Sequence, residues 1–185
     1  YNPMSLNPRL SRLIADYEKI RELELRSPFV EIVKTKGGEP PIEYTLRLTC
    51  KGISKLAGGR PVYSEEHRLR ISLPADYPRS QPKLAMLSPV FHPNFHGNTI
   101  CIGQSYSPSM GLDDLVVVIV QMIRYENFNP GSAYNHNAVV WAKKNKRLLP
   151  LDKRQIVEEE IGVKIFNDIQ IISDSDDLVG QINIF

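Results

Sequence analysis

The sequence predicts an α+β domain: one amphipathic helix, a series of antiparallel strands, then helices again. Three observations carry this. Apolar residues recur every three or four positions near the start (Leu10, Leu13, Ile14, Tyr17, Ile20, Leu23). Two later stretches alternate with a period of two: Ile42, Tyr44, Leu46, Leu48 and Cys50, then His67, Leu69, Ile71 and Leu73. A long apolar block from 112 to 125 carries acids in its first turn, as a helix prefers.

Taken in order, Asn7 or Ser5 caps the first helix, with Pro8 at its first position. Arg9, Arg12, Lys19 and Arg21 fall largely off the apolar stripe and read as a solvated face, with partner docking as the second reading. Residues 29–35 form a β-branched first strand, ended by Lys36-Gly37-Gly38. The second strand puts Cys50 on its apolar face, so that thiol reads as packing. Residues 52–61 are expected as a loop, and the strand after it buries His67 at its edge. Three prolines between Leu73 and Lys83 (Pro74, Pro78, Pro82) stiffen the next connection, and residues 83–87 form a short strand. In the 112–125 block the run Val116-Val117-Val118-Ile119-Val120 suits a strand, but length and the continuation through Arg124 favour a helix. Residues 129–132 break the chain, and 135–145 read as a shorter helix.

The chain divides at about residue 146. Residues 1–146 form the catalytic-type domain, and 147–185 a C-terminal extension that packs on it or on a partner. The extension begins with a linker at 148–150 and a helical turn at 155–160. An Ile/Val-rich alternating stretch at 161–172, an acidic turn at Asp174, Asp176 and Asp177, and a strand at 181–185 follow.

Composition narrows the function. The chain of 185 residues is 42% hydrophobic and 24% charged, ordinary for a globular protein. A net charge of +2 with no basic block gives no footprint for a nucleic acid. The longest apolar run is too short to span a bilayer, and the N-terminal stretch reads as no signal peptide, so no membrane and a cytoplasmic location are expected. Two cysteines argue against a disulfide scaffold.

Cys101 ends the turn-rich run His92-Pro93-Asn94-Phe95-His96-Gly97-Asn98-Thr99-Ile100. A free thiol titrates near ~8.5, so a small fraction is thiolate at neutral pH. Neither a zinc spacing nor a Gly-rich phosphate loop is present, so no metal and no cofactor are expected. The residues alone leave three readings of Cys101: an acyl-transfer nucleophile, half of a protease-like Cys–His pair, or an inert thiol.

The combination of Leu73-Pro74, Tyr77-Pro78, Pro82-Lys83, His92-Pro93-Asn94 and Ile100-Cys101 resembles the ubiquitin-conjugating enzyme family. The resemblance implies the family's UBC-like fold: an N-terminal helix, a four-stranded antiparallel meander, then helices, here with a divergent C-terminal tail. It implies that Cys101 is the catalytic cysteine, carrying an acyl group as a thioester and passing it to an amine. Asn94 would stabilise the oxyanion or hold the loop, and His92 would fix the loop rather than act as a base. Several positions depart from the family. The interval from Asn94 to Cys101 is one residue shorter, Arg79 replaces the aromatic that follows Tyr-Pro, and Tyr106 replaces the tryptophan of Trp-Ser-Pro. Gly131 and Ser132 stand where many members carry acids; His136, close by, takes a polar role there or sits at a helix start.

These departures imply a ligase-independent enzyme without a RING partner, similar to prokaryotic conjugating enzymes of bacterial anti-phage operons. The implied partner is a protein acyl donor with a free C-terminus, either a CD-NTase-type nucleotidyltransferase of a CBASS system or a bacterial ubiquitin-like protein. An activating enzyme is a further partner compatible with the family. An inactive UBC-like binding module is the remaining alternative.

Overall fold

The computed structural model describes residues 7–103, 106–127 and 133–158. Helix α1 runs Pro8–Arg26; the Asn7 side chain accepts a hydrogen bond from the Arg9 N–H at 3.0 Å, satisfying one of the donors a helix start leaves unpaired. Four strands follow as an antiparallel meander: β1 Val30–Lys36, β2 Glu43–Leu48, β5 His67–Ser72 and β6 Lys83–Met86. Two short strands, β7 Phe95–His96 and β8 Thr99–Ile100, extend this sheet, giving the order β1-β2-β5-β6-β8-β7. Helices α2 Leu112–Ile123 and α3 His136–Lys144 complete the fold, which is the α+β arrangement expected.

The sheet's alternation aims Tyr44, Leu46, Leu48, Leu69, Ile71 and Met86 into one buried cluster with Leu13, Ile20 and Leu23 of α1. Cys50 lies in the same cluster, fully buried. The helical fate of α2 follows from magnitudes. Its five consecutive β-branched residues each forfeit only about 0.5 kcal/mol of helix propensity. Leu112, Leu115, Val116, Ile119, Val120 and Ile123 are all buried, at about 1.5–3 kcal/mol each, and only the helical period brings them to one face.

Residues 52–61 are not a loop. They form a hairpin, β3 Gly52–Ala57 and β4 Arg60–Ser64, which continues the β2–β5 ribbon outward. Gly58 and Gly59, with φ of 56° and 78°, make the two-residue turn that twists with its strands. Gly58-Gly59, a pair suited to a two-residue hairpin turn, was the signal for it. At the hairpin's base the backbone comes so close that a Cβ on Gly52 would lie 2.6 Å from Ile123 Cγ2 and 2.7 Å from His67 Nε2. At its far end the Trp141 indole donates to Gly59 O at 2.9 Å.

The expectation that Arg12 lies on a solvated face is also corrected. Asp16 is on the buried side of α1, 1% exposed, and Arg12 reaches inward to it at 2.7 Å. Asp16 also accepts from the Tyr77 hydroxyl at 2.5 Å and from the Leu112 N–H at 3.1 Å, so one carboxylate ties α1 to the proline-rich connection and to the start of α2. Burial and Asp16 push the Tyr77 hydroxyl well above its ordinary value, so it remains a donor. Arg12 further donates to Pro108 O at 2.7 Å and to Met110 O.

After the 3-10 helix Lys146–Leu148 the chain returns over the body. The buried Arg124 guanidinium lies 5.1 Å from the Phe29 ring and donates to the carbonyls of Asp152 and Arg154. Ile156 joins the core, and the Glu158 N–H donates to Arg26 O at 2.8 Å. Of the helical turn expected at 155–160, residues 155–158 are described and are not helical, with bends at Ile156 and Val157; 159 and 160 lie outside the described residues. The expected break at 129–132, the alternating stretch at 161–172, the acidic turn and the final strand lie outside the described residues.

Candidate functional site

The segment around Cys101 is a tight hairpin. Phe95 pairs with Ile100 and His96 with Thr99, across a turn in which Gly97 adopts φ 55°. The Cys101 N–H then donates to Asn94 O at 2.8 Å, adding one more rung. This backbone bond ties the start of the Cys101 segment to the turn residue Asn94, just beyond the last paired rung of the hairpin. The seven-residue interval, one short of the family's usual spacing, is the interval a two-residue turn with three rungs requires. Phe95 and Ile100 point to the other face and are buried, which fixes the register.

The two thiols differ in kind, and neither is bridged. Burial pushes the Cys50 thiol up to about 12, which leaves it protonated and inert. Cys101 is partly exposed, just beyond the end of β8.

Asn94 is 1% exposed, and its side-chain Oδ1 has no hydrogen-bond partner among the described residues. Leaving a buried amide oxygen unsatisfied costs about 1–3 kcal/mol, so the Asn94 Oδ1 adds nothing to the stability of the fold.

His92 supports the turn. Its Nδ1 accepts from the Asn94 N–H at 3.0 Å, which places the proton of the neutral ring on Nε2. The ring is fully buried, edge-on to Phe95 at 5.1 Å and to Tyr125 at 4.6 Å. Burial lowers its pKa from 6.5 to about 3, so it is neutral at physiological pH and locked in place, unsuited to taking the thiol's proton. His136 begins α3 and is exposed; no contact joins it to Cys101 among the described residues.

Two residues that sequence reasoning missed brace this turn. Tyr125 has φ 58°, which a bulky residue adopts at a cost of order 1–3 kcal/mol. That conformation sends its hydroxyl to Phe91 O at 2.6 Å and lays its ring on His92. Asn135 caps α3 with its side chain, while its N–H donates to Pro93 O at 2.9 Å. Neither role has a sequence signature. On the downstream side the Tyr106 hydroxyl donates to Pro78 O at 2.7 Å, tying the segment after Cys101 to the proline-rich connection, while Arg79 is exposed.

A family model for ubiquitin-conjugating enzymes matches residues 54–155, more than half the chain and all of this hairpin. The chain belongs to the ubiquitin-conjugating enzyme family. It is 29% identical over 141 residues to ubiquitin-conjugating enzyme E2 S of Branchiostoma floridae, covering 74% of this chain and 61% of that one. It is 34% identical over 84 residues to ubiquitin-conjugating enzyme E2 22 of Arabidopsis thaliana, covering 43% and 33%. It thus spans less than two thirds of the length of these relatives. Among solved structures, the E2 domain of a Toxoplasma gondii ubiquitin-conjugating enzyme superposes with a TM-score of 0.52 at 20% identity, covering 76% of this chain and 90% of that one, and so shares its UBC fold. No helix among the described residues is long and apolar enough to cross a membrane.

The buried histidines make stability depend on pH. His67 is fully buried and burial lowers its pKa, as it does for His92. A depressed folded-state pKa means that the unfolded chain binds more protons below 6.5, so the stability is present above that value and lost as pH falls. Each such histidine contributes a slope of up to about 1.4 kcal/mol per pH unit between its two pKa values. Urea midpoints are expected to fall steadily as the pH drops from 7.5 to below 5; a flat profile contradicts the neutral, buried His92.

Proposed function

We propose that this chain carries the C-terminus of a protein as a thioester on Cys101 and transfers it to an amine. The observation that carries the reading is the backbone bond from the Cys101 N–H to Asn94 O, which holds a partly exposed thiol next in the fold to the buried Asn94. The Cys101 thiolate attacks the donor's activated carbonyl carbon, a C–S bond forms, and the donor's leaving group departs with its electron pair. The acceptor amine then attacks the thioester carbon; an amide bond forms, the C–S bond breaks, Cys101 leaves as thiolate, and the amine's proton passes to solvent. An amide donor at Asn94 would stabilise the oxyanion in each tetrahedral intermediate. No metal or cofactor enters these steps. His92 is no base for a cysteine peptidase, because it is held neutral and committed to the turn.

The exposed Arg79 and the Tyr106–Pro78 bond support a ligase-independent enzyme, since the surface where family ligases dock lacks its aromatic and is tied to the segment beyond Cys101. With these departures, the reading extends to a cytoplasmic enzyme of bacterial anti-phage defence. Its acyl donor would be a CD-NTase-type nucleotidyltransferase of a CBASS system; a bacterial ubiquitin-like protein is the second reading. Residues 1–146 form the catalytic domain and 147–185 an extension of it. His92 serves as scaffold, and His136 is left a minor polar role at the start of α3.

The test is incubation with an activated donor of each kind. A reductant-sensitive adduct is expected with the native chain and none with Cys101→Ala. An adduct that persists undiminished in Cys101→Ala removes the proposal.

A further inference from the structure

Helix α1 is apolar on two adjoining faces, and the core uses only one. Leu13, Ile20 and Leu23 are buried in the core. Leu10, Ile14, Tyr17 and Leu25 follow one another at helical spacing on the neighbouring face and, with Pro40 from the connection between β1 and β2, line an open groove of about 680 Å³. Leu25 is 85% exposed and Leu10 37%. A large apolar groove left open to water marks a binding surface.

The chain's own course points to the occupant. The Arg26 guanidinium donates through Nη1 to Glu22, which lines the groove, and through Nε and Nη2 to Glu158 O. The Glu158 N–H is in turn held by Arg26 O. The described chain thus ends at the Leu25 end of the groove. The sequence that follows is apolar, with Ile161, Val163, Ile165, Phe166, Ile169, Ile171 and Ile172. From Leu25 to Leu10 the helix rises about 22 Å. An extended chain covers this in about seven residues at ~3.3 Å each, well within 159–172. Lys164 is the one cation of 159–172, and three acids, Glu18, Glu22 and Glu39, line the groove beside a single cation, Arg21.

We propose that residues 161–172 dock intramolecularly in the groove of α1 and Pro40, running from the Leu25 end toward Leu10. The sheet edge is the poorer host. On β1 the register shifts at Val33, the Ile32 N–H is already taken by Glu24 at 2.7 Å, and Lys34 and Lys36 guard the edge.

Lys164 is the only lysine or arginine in residues 159–185, so tryptic cleavage after it reports directly on whether the segment is covered. In the full chain, Leu10→Glu with Leu25→Glu alters two exposed side chains and should leave the melting temperature of the domain unchanged. Cleavage after Lys164, followed by intact mass, is expected to accelerate about tenfold or more in this variant, because proteolysis tracks the undocked population. Ile161→Asp, on the opposite partner, is expected to do the same without touching the domain. For the native chain the rate should be unaltered by roughly hundredfold dilution, as an intramolecular contact requires. Equal rates in native and variant chains overturn the proposal. Protection that disappears on dilution also overturns it, since the groove would then hold the segment of a second copy. The readout involves no acyl transfer, so it stands or falls apart from the role of Cys101.

Discussion

Asn94→Ala is expected to slow transfer from Cys101 to a lysine amine by roughly 10²–10³-fold, the usual cost of losing one donor to a developing oxyanion. The reasoning separates main chain from side chain. Cys101 is positioned by Asn94 O, and the Asn94 N–H is held by His92 Nδ1 at 3.0 Å, so neither tie depends on the side chain. Removing the amide also removes the orphaned Oδ1, so the folded state should lose little stability and could gain some. Asn94→Asp keeps the shape but brings a negative charge toward the oxyanion, and should be at least as slow. The measurement is a single-turnover chase of the preformed thioester, with a urea midpoint for each variant. A variant that loses transfer and stability together would instead assign Asn94 to loop support alone.

Asp16→Ala is expected to cost about 3–5 kcal/mol, because it breaks a largely buried ion pair and leaves Arg12 with only neutral partners, two carbonyls and Tyr77. For a chain of this length that corresponds to a fall in melting temperature on the order of 10 °C. Three elements loosen at once: the Tyr77 hydroxyl loses its acceptor, the Leu112 N–H loses its cap, and Arg12 no longer fixes the carbonyls of Pro108 and Met110. Asp16→Asn preserves an acceptor for Leu112 but not the charge, and should fall between native and alanine. A loss below about 1 kcal/mol for Asp16→Ala, the range of an exposed pair, contradicts this account.

What the sequence disclosed and what it hid follow from the range of the physics involved. α1, β2, β5 and α2 were legible because a buried face imposes its period on the chain along the whole element, six residues in each strand and twelve or more in each helix. The β3–β4 hairpin was hidden behind two glycines and a proline, in strands with one β-branched residue each, although Gly58-Gly59 is itself a turn signal. Asp16 sits four residues before Ile20 and three after Leu13, on the core side of its helix; an acid at that register was a visible mark of a buried polar junction. Within the candidate site, the motif singled out Asn94 and Cys101, but the backbone bond that joins them beyond the 95–100 and 96–99 pairing was not legible in it. Tyr125 and Asn135 could not be anticipated. They reach the turn from elements about 30 to 40 positions along the chain, through one hydroxyl, one ring and one backbone N–H.

The role of Cys101 is tested most directly by the intact mass of Cys101→Ser protein co-expressed with its neighbouring genes. An oxyester is far less readily discharged than a thioester, so the substituted chain should accumulate a covalent adduct. Its added mass should equal the donor minus water, it should resist reductant, and it should map to position 101. Unmodified protein in the presence of an activated donor, or an adduct mapped elsewhere in the chain, would contradict an acyl carrier at Cys101.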